Sequence, residues 1–332
     1  MRHRLATALS TSALALLVAG CGGGGSSGDG GSMLLLDAAN HVGAGQAALA
    51  TGLQFEESSE LIVGAQVQRQ DDGALLRLAL DALRRVDPVL ASAPPLAVGL
   101  VITSTVRCDN AEGSYVLVVD DADHDNRFDA GDTATFTFSN CVLDGDAANG
   151  KVAIRVNALS GDLDGSVYDG RFTVTMTALS LTGSSGSYTG NGALDVDLVG
   201  TAARTGSSRV ATSGFTSTGR FGSVQSTRTI TGFTVNESHV PEGAGERRTL
   251  RFEGTLSSTG LEGRSISVAT TTPWVVAAGA LYPSQGQAIV SGAFGSTLRL
   301  TAVDATSVRF ELDANGDGQY EQTSTRPWSE LL

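Results

Sequence analysis

The sequence predicts a mainly β protein: a large antiparallel sheet of about a dozen strands, built as a curved sheet, an open barrel or a sandwich, with a short N-terminal helical segment packed on it. Three observations predict it. Beyond about residue 96, apolar residues recur with period two, the spacing that puts them on one face of a strand. Clusters of Gly, Ser, Asn and Asp separate these runs and no helical crossover intervenes, so successive strands are expected to pair antiparallel. Before that boundary, residues 34–92 turn to Ala, Leu and Gln at helical spacing.

In chain order, the first element is an export signal. Arg2 and Arg4 precede an apolar run from Leu5 to Ala19, diluted by Thr7, Ser10, Thr11 and Ser12. Positive charge followed by such a run is the pattern of a secretory signal. The run is shorter than the about 20 apolar residues a membrane span needs. Leu17-Val18-Ala19-Gly20-Cys21 resembles the lipobox of bacterial lipoproteins, a resemblance confined to the first 21 residues. It implies cleavage before Cys21, a diacylglycerol on the Cys21 sulfur, and the further acylation that stable anchoring requires. Gly22 stands where lipoproteins retained at the inner membrane often carry aspartate, which implies the outer membrane of the cell envelope. Residues 22–32 are almost all Gly and Ser, a composition that cannot bury a core and behaves as a flexible coil. The expected organisation is therefore a signal peptide at 1–20, lipidated Cys21 and a tether at 21–32, a helical segment at 33–95, and an antiparallel β domain at 96–332.

Within the helical segment, Leu75, Leu76, Ala79, Leu83 and Val86 make one apolar stripe. Asp71 or Asp72 can cap its start, Pro88 stops it, and Asp81 and Arg85 are spaced as an i,i+4 pair. This helix is expected to pack on the sheet. An earlier helix around Asp37 to Leu49 is weakened by Gly43 and Gly45.

The strands follow. Phe136 and Phe138 alternate with threonines; Val152, Ile154 and Val156 with Ala153 and Arg155; Phe172, Val174 and Met176 with threonines. Leu194, Val196 and Leu198 alternate with Asp195 and Asp197, and Val308, Phe310 and Leu312 with Arg309 and Glu311. Clusters at 183–192 and 259–264 read as turns. The polar stretch 200–248 is expected to be weakly buried with poorly specified register. Aromatic residues are only 5%, too few for the girdles of a membrane barrel.

Composition bounds the function. Two of the 22 basic residues lie in the signal, leaving 20 against 35 acidic residues, a formal charge of −15. An acidic body excludes nucleic acid as a partner by this reading. Cys108 and Cys141 are an even pair in an exported chain, and each sits beside a predicted strand, so a disulfide pinning neighbouring strands is expected.

The strongest chemical signal is the run Asp121, Asp123, Asp125, Arg127, Asp129, Asp132. Carboxylates at positions 1, 3 and 5 converge when the chain curls, and calcium takes six to eight hard oxygens. Arg127 offers a backbone carbonyl at position 7. The spacing resembles an EF-hand loop, with Asn126 in place of glycine and Asp132 in place of glutamate. Strands flank it, so it is expected to be a hairpin loop. A second run, Asp313, Asn315, Asp317, Gly318, Gln319, Glu321, resembles the D-x-N-x-D-G loops of dockerins, EF-hands and thrombospondin-type repeats. Ser324 at its position 12 departs from the EF-hand.

No G-x-S-x-G elbow, H-E-x-x-H pair or phosphate-binding glycine loop is present. Asp195 and Asp197 share a strand face, the one arrangement that keeps a glycosidase-like dyad open. Three function classes follow: a structural or interaction lipoprotein with calcium-stiffened turns; an envelope carrier of lipid or another apolar ligand, with the sheet wrapped around an apolar hollow; and a carbohydrate-binding or hydrolytic envelope protein. The first is the expectation, with no enzyme activity. Membrane association is assigned to lipid on Cys21, an envelope protein or apolar ligand is the candidate partner, and oligomeric state is left open. Trp274 and Trp328 are expected in the core.

Overall fold

The computed structural model describes residues 32–54, 72–83, 85–86, 101–108, 113–143, 145–163, 165–184, 186–203 and 205–332. The export signal, Cys21 and the tether up to residue 31 lie outside the described residues. So do 55–71 and 87–100 of the helical segment.

Among the described residues two helices come first, α1 His41–Gln54 and α2 Asp72–Leu83. Fourteen strands follow: β1 Ile102–Arg107, β2 Ser114–Asp120, β3 Thr133–Leu143, β4 Asp146–Gly161, β5 Tyr168–Thr182, β6 Ser187–Gly200, β7 Gly206–Phe221, β8 Val224–Glu242, β9 Gly245–Ser258, β10 Ser265–Val276, β11 Gln285–Ser291, β12 Thr297–Asp304, β13 Ser307–Asp313 and β14 Gln322–Pro327. They form one open antiparallel sheet in unbroken sequence order. It is neither a sandwich nor a closed barrel. In such a meander, turns after even-numbered strands lie at one end of the sheet and turns after odd-numbered strands at the other.

The polar stretch supplies β7 and β8, two of the longest strands. Contrary to the sequence expectation, their register is well defined. It runs from Phe221↔Val224 to Gly206↔His239, with one interruption between Thr212 and Phe215. Val210, Phe215, Ile230, Phe233 and Val235 are buried. These few apolar residues fix the face of both strands, because a one-residue slip would expose them all. The cluster 183–192 is likewise only partly a turn: Ser187 opens β6, and Gly190, Asn191 and Gly192 lie inside that strand. The 259–264 cluster is a turn, entered through a short 3-10 helix at Thr259–Leu261.

One face of the sheet is buried. Leu117, Phe136, Val152, Val174, Leu194, Leu250, Leu300 and Phe310 belong to a single core with Leu75, Leu76, Ala79, Leu83 and Val86 of the predicted helical stripe. Helix α2 lies against β4, β5 and β6, while α1 lies against β9 and β11 to β13. Fourteen strands laid flat would span roughly 65 Å at about 4.8 Å each. Two helices side by side cover only about 20 Å. Burial across β2 to β13 therefore requires the sheet to curl around the helices.

The curl is written into a line of bulges. Left-handed backbone recurs from strand to strand, at Asn140 (φ 47°), Gly150 (97°), Ala178 (46°), Gly192 (134°), Gly232 (55°) and Gly254 (145°). Register shifts coincide with it in β3, β4, β5, β6 and β8. Each bulge bends its strand and raises its twist. Side chains take up the displaced backbone groups. Asn140 N donates to Asn149 Oδ1 at 2.8 Å, and Ala178 N donates to Asn191 Oδ1 at 2.7 Å. Thr212 Oγ1 donates to Ala193 O at 2.7 Å and accepts Gly214 N at 3.0 Å.

Asp37 and Asn40 set the start of α1 reciprocally. Asn40 N donates to Asp37 Oδ1 and Asp37 N donates to Asn40 Oδ1, both at 3.0 Å. Of the two glycines expected to weaken α1, Gly43 has open space around it, but Gly45 has a packing role that Gly52 shares. Gly45 and Gly52 lie two turns apart, and a Cβ on them would collide with the rings of Phe310 and Phe252. The helix backbone thus rests directly on sheet aromatics. Trp274 and Trp328 are both fully buried, 6.0 Å apart edge to face.

Cys108 and Cys141 form the expected disulfide, with Cα atoms 5.3 Å apart. It does not join neighbouring strands. Cys108 follows β1 and Cys141 sits in β3, so the bridge reaches past β2 and ties down the edge strand. Every residue of β1 is half-buried or exposed, so packing holds it weakly.

Candidate metal centre

The β2–β3 connection is the first acidic loop and the β13–β14 connection is the second. One follows an even strand and the other an odd strand, so they lie at opposite ends of the sheet. Both fold the same way, residue for residue. Asp121 is buried; its Oδ1 accepts His124 N at 2.7 Å and its Oδ2 accepts Asn126 N at 2.9 Å. Asp313 is buried; its Oδ1 accepts Gly316 N at 2.7 Å and its Oδ2 accepts Gly318 N at 2.8 Å. The third residue of each loop accepts the amide two residues on: Asp125 N to Asp123 Oδ1 at 3.2 Å, and Asp317 N to Asn315 Oδ1 at 2.8 Å. The fifth does the same: Arg127 N to Asp125 Oδ1 and Gln319 N to Asp317 Oδ1, both 2.8 Å. These turns need left-handed backbone at positions 4 and 6. His124 and Asn126 supply it in the first loop, Gly316 and Gly318 in the second.

Two carboxylate groups result. Asp121, Asp123 and Asp125 place one oxygen each within 4.8 Å of one another, and so do Asp313, Asp317 and Glu321. Either group can hold a metal ion. The remaining predicted ligands take other places. Asp132 is buried, and both its oxygens accept amides, from Ala122 at 2.8 Å and Asp129 at 2.9 Å. Burial raises the Asp132 pKa despite those two hydrogen bonds. Burial, and then the carboxylates of Asp123 and Asp125, raise that of Asp129. The first loop thus carries crowded negative charge that a cation would relieve. Arg127 and Gln319 are tied in by their backbone N–H groups, which donate to Asp125 and Asp317, and the Asn315 amide donates to Asp317 Oδ2 at 3.2 Å. Ser324 lies in β14, away from a ligand role.

Two features were not readable from spacing. Glu321 Oε2 accepts Ala314 N at 3.0 Å, the counterpart of the Asp132 bond to Ala122. Asn126 Oδ1 is buried without a hydrogen-bond partner inside the first loop. The second loop is also braced from the sheet. Arg299 grips Glu311 through two bonds of 2.7 and 2.8 Å, and its guanidinium lies 4.2 Å from the Tyr320 ring centroid. The hydrogen bonds from Arg299 lower the Glu311 pKa.

Asp195 and Asp197 have structural partners. Asp195 accepts Thr173 Oγ1 at 3.0 Å and Asp197 pairs with Arg209 at 3.3 Å. A depression of about 410 Å³ lies on the outer face over β8 to β11, lined by Glu253, Thr255, Ser267, Ala269 and Ile289 among others. It marks a gap between β9 and β10, which pair at Leu256 and again at Leu250 but not between. The Thr270 hydroxyl fills the gap, bonding Phe252 N and O at 2.9 Å each. Among the described residues no helix is long and apolar enough to cross a membrane.

Comparison of the chain with protein-family models, with curated proteins and with solved structures finds no match. The class is therefore defined by its own features: an open fourteen-strand meander curled around two helices, with twin acidic hairpin loops.

Proposed function

We propose that the chain is a lipid-anchored lipoprotein of the cell envelope that serves as a structural or interaction module, with calcium bound in both acidic loops. The observation that carries the reading is the close burial of the sheet's inner face among the described residues. From β2 to β13 the inward side chains meet α1, α2 and one another, and most are fully buried. A carrier needs a hollow of a few hundred Å³ on that side. The depression at β9–β10 opens on the other face.

Calcium is favoured by the donor set, which is all oxygen and lacks His and Cys. The anchor rests on the Val18-Ala19-Gly20-Cys21 motif, and Gly22 favours the outer membrane. Cell fractionation of wild type and Cys21→Ser tests it. Wild type sediments with membranes carrying acyl groups on Cys21, and Cys21→Ser remains folded and is released. Acyl-free wild type refutes the anchor.

A further inference from the structure

We propose that the end of the sheet bearing Phe294 docks on the bilayer to which the chain is tethered, with the Phe294 ring inserted among the lipids. This rests on the lipid-anchor reading above. Phe294 lies in the turn between β11 and β12. It is 89% exposed and has φ 55°. Leaving a Phe in water forgoes about 1.5–3 kcal/mol of burial. Left-handed backbone costs a non-glycine residue about 1–2 kcal/mol. Both penalties fall on one residue, and no packing within the fold offsets them. Strain and exposure together mark a functional position.

Its neighbours place it. Ala293 N donates to Leu34 O at 2.8 Å, and Leu36 N donates to Ser296 Oγ at 3.0 Å, so the strap 33–36 is bonded along this turn. Met33 and Leu35 on the strap are 37% and 38% exposed, which widens the apolar rim. Ser32 O accepts Ser265 N at 3.4 Å, so the chain enters the fold at the first residue of β10. Between Cys21 and Ser32 the chain can reach at most about 40 Å. The opposite end of the sheet lies a further β10 length away, about 40 Å for its 12 residues. A lipid on Cys21 therefore holds the Phe294 rim near the membrane. Asp317 and Glu321 adjoin this rim, since Gly316 packs against Phe294 and Gly295. The attraction is accordingly apolar rather than electrostatic, and a neutral bilayer suffices.

The test uses the lipidated full chain in neutral phosphatidylcholine vesicles with brominated acyl chains. Phe294→Trp puts an indole at the rim, and Leu281→Trp puts one in the β10–β11 turn at the other end, where Leu281 is 83% exposed. Trp274 and Trp328 are fully buried and give the same background in both variants. The expected result is blue-shifted, bromine-quenched emission from Phe294→Trp and no change from Leu281→Trp. Vesicle-bound protein whose Phe294→Trp emission stays water-like and unquenched overturns the docking and leaves the anchor intact. Failure to float with vesicles, together with no acyl mass on Cys21, overturns the anchor and the docking with it.

Discussion

Asp132 and Glu321 close their loops in the same way from different positions. Each carboxylate accepts the amide of the second loop residue, Ala122 in one case and Ala314 in the other. Asp132 does so from position 12 and Glu321 from position 9. The longer glutamate side chain makes up for the shorter loop. The two loops are thus one device built at opposite ends of one sheet, each clamping a hairpin that contains, or adjoins, an edge strand.

The contact of α1 with the sheet separates two glycine substitutions. Gly52→Ala pushes a methyl into the Phe252 ring, which must shift, at a cost of about 1–3 kcal/mol. Gly43→Ala meets nothing within 4 Å. It removes a helix-interior glycine and should stabilise by about 1 kcal/mol. Urea unfolding midpoints of the two variants should move in opposite directions.

Strand bending predicts a second pair. Ala178 holds left-handed backbone, so Ala178→Gly should gain up to about 1 kcal/mol. Asn191→Ala removes the acceptor for Ala178 N and should lose about 1 kcal/mol. Thermal melts of both variants check this. Equal destabilisation by the two would contradict the bulge as described.

Reducing the Cys108–Cys141 bridge should cost roughly 3–4 kcal/mol for its 33-residue separation in the chain-entropy model. The loss should begin at the edge. Hydrogen exchange under reductant should rise first in residues 102–107, because β1 is held by the bridge more than by burial. Uniform acceleration across the sheet would argue against that assignment.

Acid should act at the β12–β13 turn. Asp304 has its pKa lowered chiefly by the Thr306 hydroxyl, with further bonds from Thr306 N and Ser307 Oγ. A carboxylate lowered by folding adds stability above its unfolded pKa, and that stability is lost as pH falls through the folded value. As pH falls through and below the ordinary carboxylate range, wild type should therefore lose more stability than Asp304→Asn. At pH 7 the variant should be the less stable. A constant difference across the range would remove Asp304 as a contributor.

What the sequence disclosed followed from periodicity. Phe136 and Phe138, or Leu75 and Leu76, declare their faces because every neighbour on a strand or helix turn obeys one spacing. The curl was hidden, because bulges at Asn140 and Ala178 interrupt that spacing and involve ordinary residues at positive φ. Gly190, Asn191 and Gly192 resembled a turn, yet they bend a strand whose partner needs the Asn191 oxygen. Gly45 looked like weak helix, since its contact with Phe310, more than 200 residues away, leaves no local trace. In the acidic loops the alternating carboxylates were legible. The role of Glu321 was not, because it depends on a backbone amide rather than on a position in a motif.

Calcium titration into chelator-treated protein, followed by calorimetry, tests the central claim most directly. The account predicts two ions per chain, with one site lost in Asp125→Ala and the other in Asp317→Ala, and a gain of about 2.7 kcal/mol in stability at a hundred times the dissociation constant for each site. No heat, no bound calcium and an unchanged melt in chelator would contradict it.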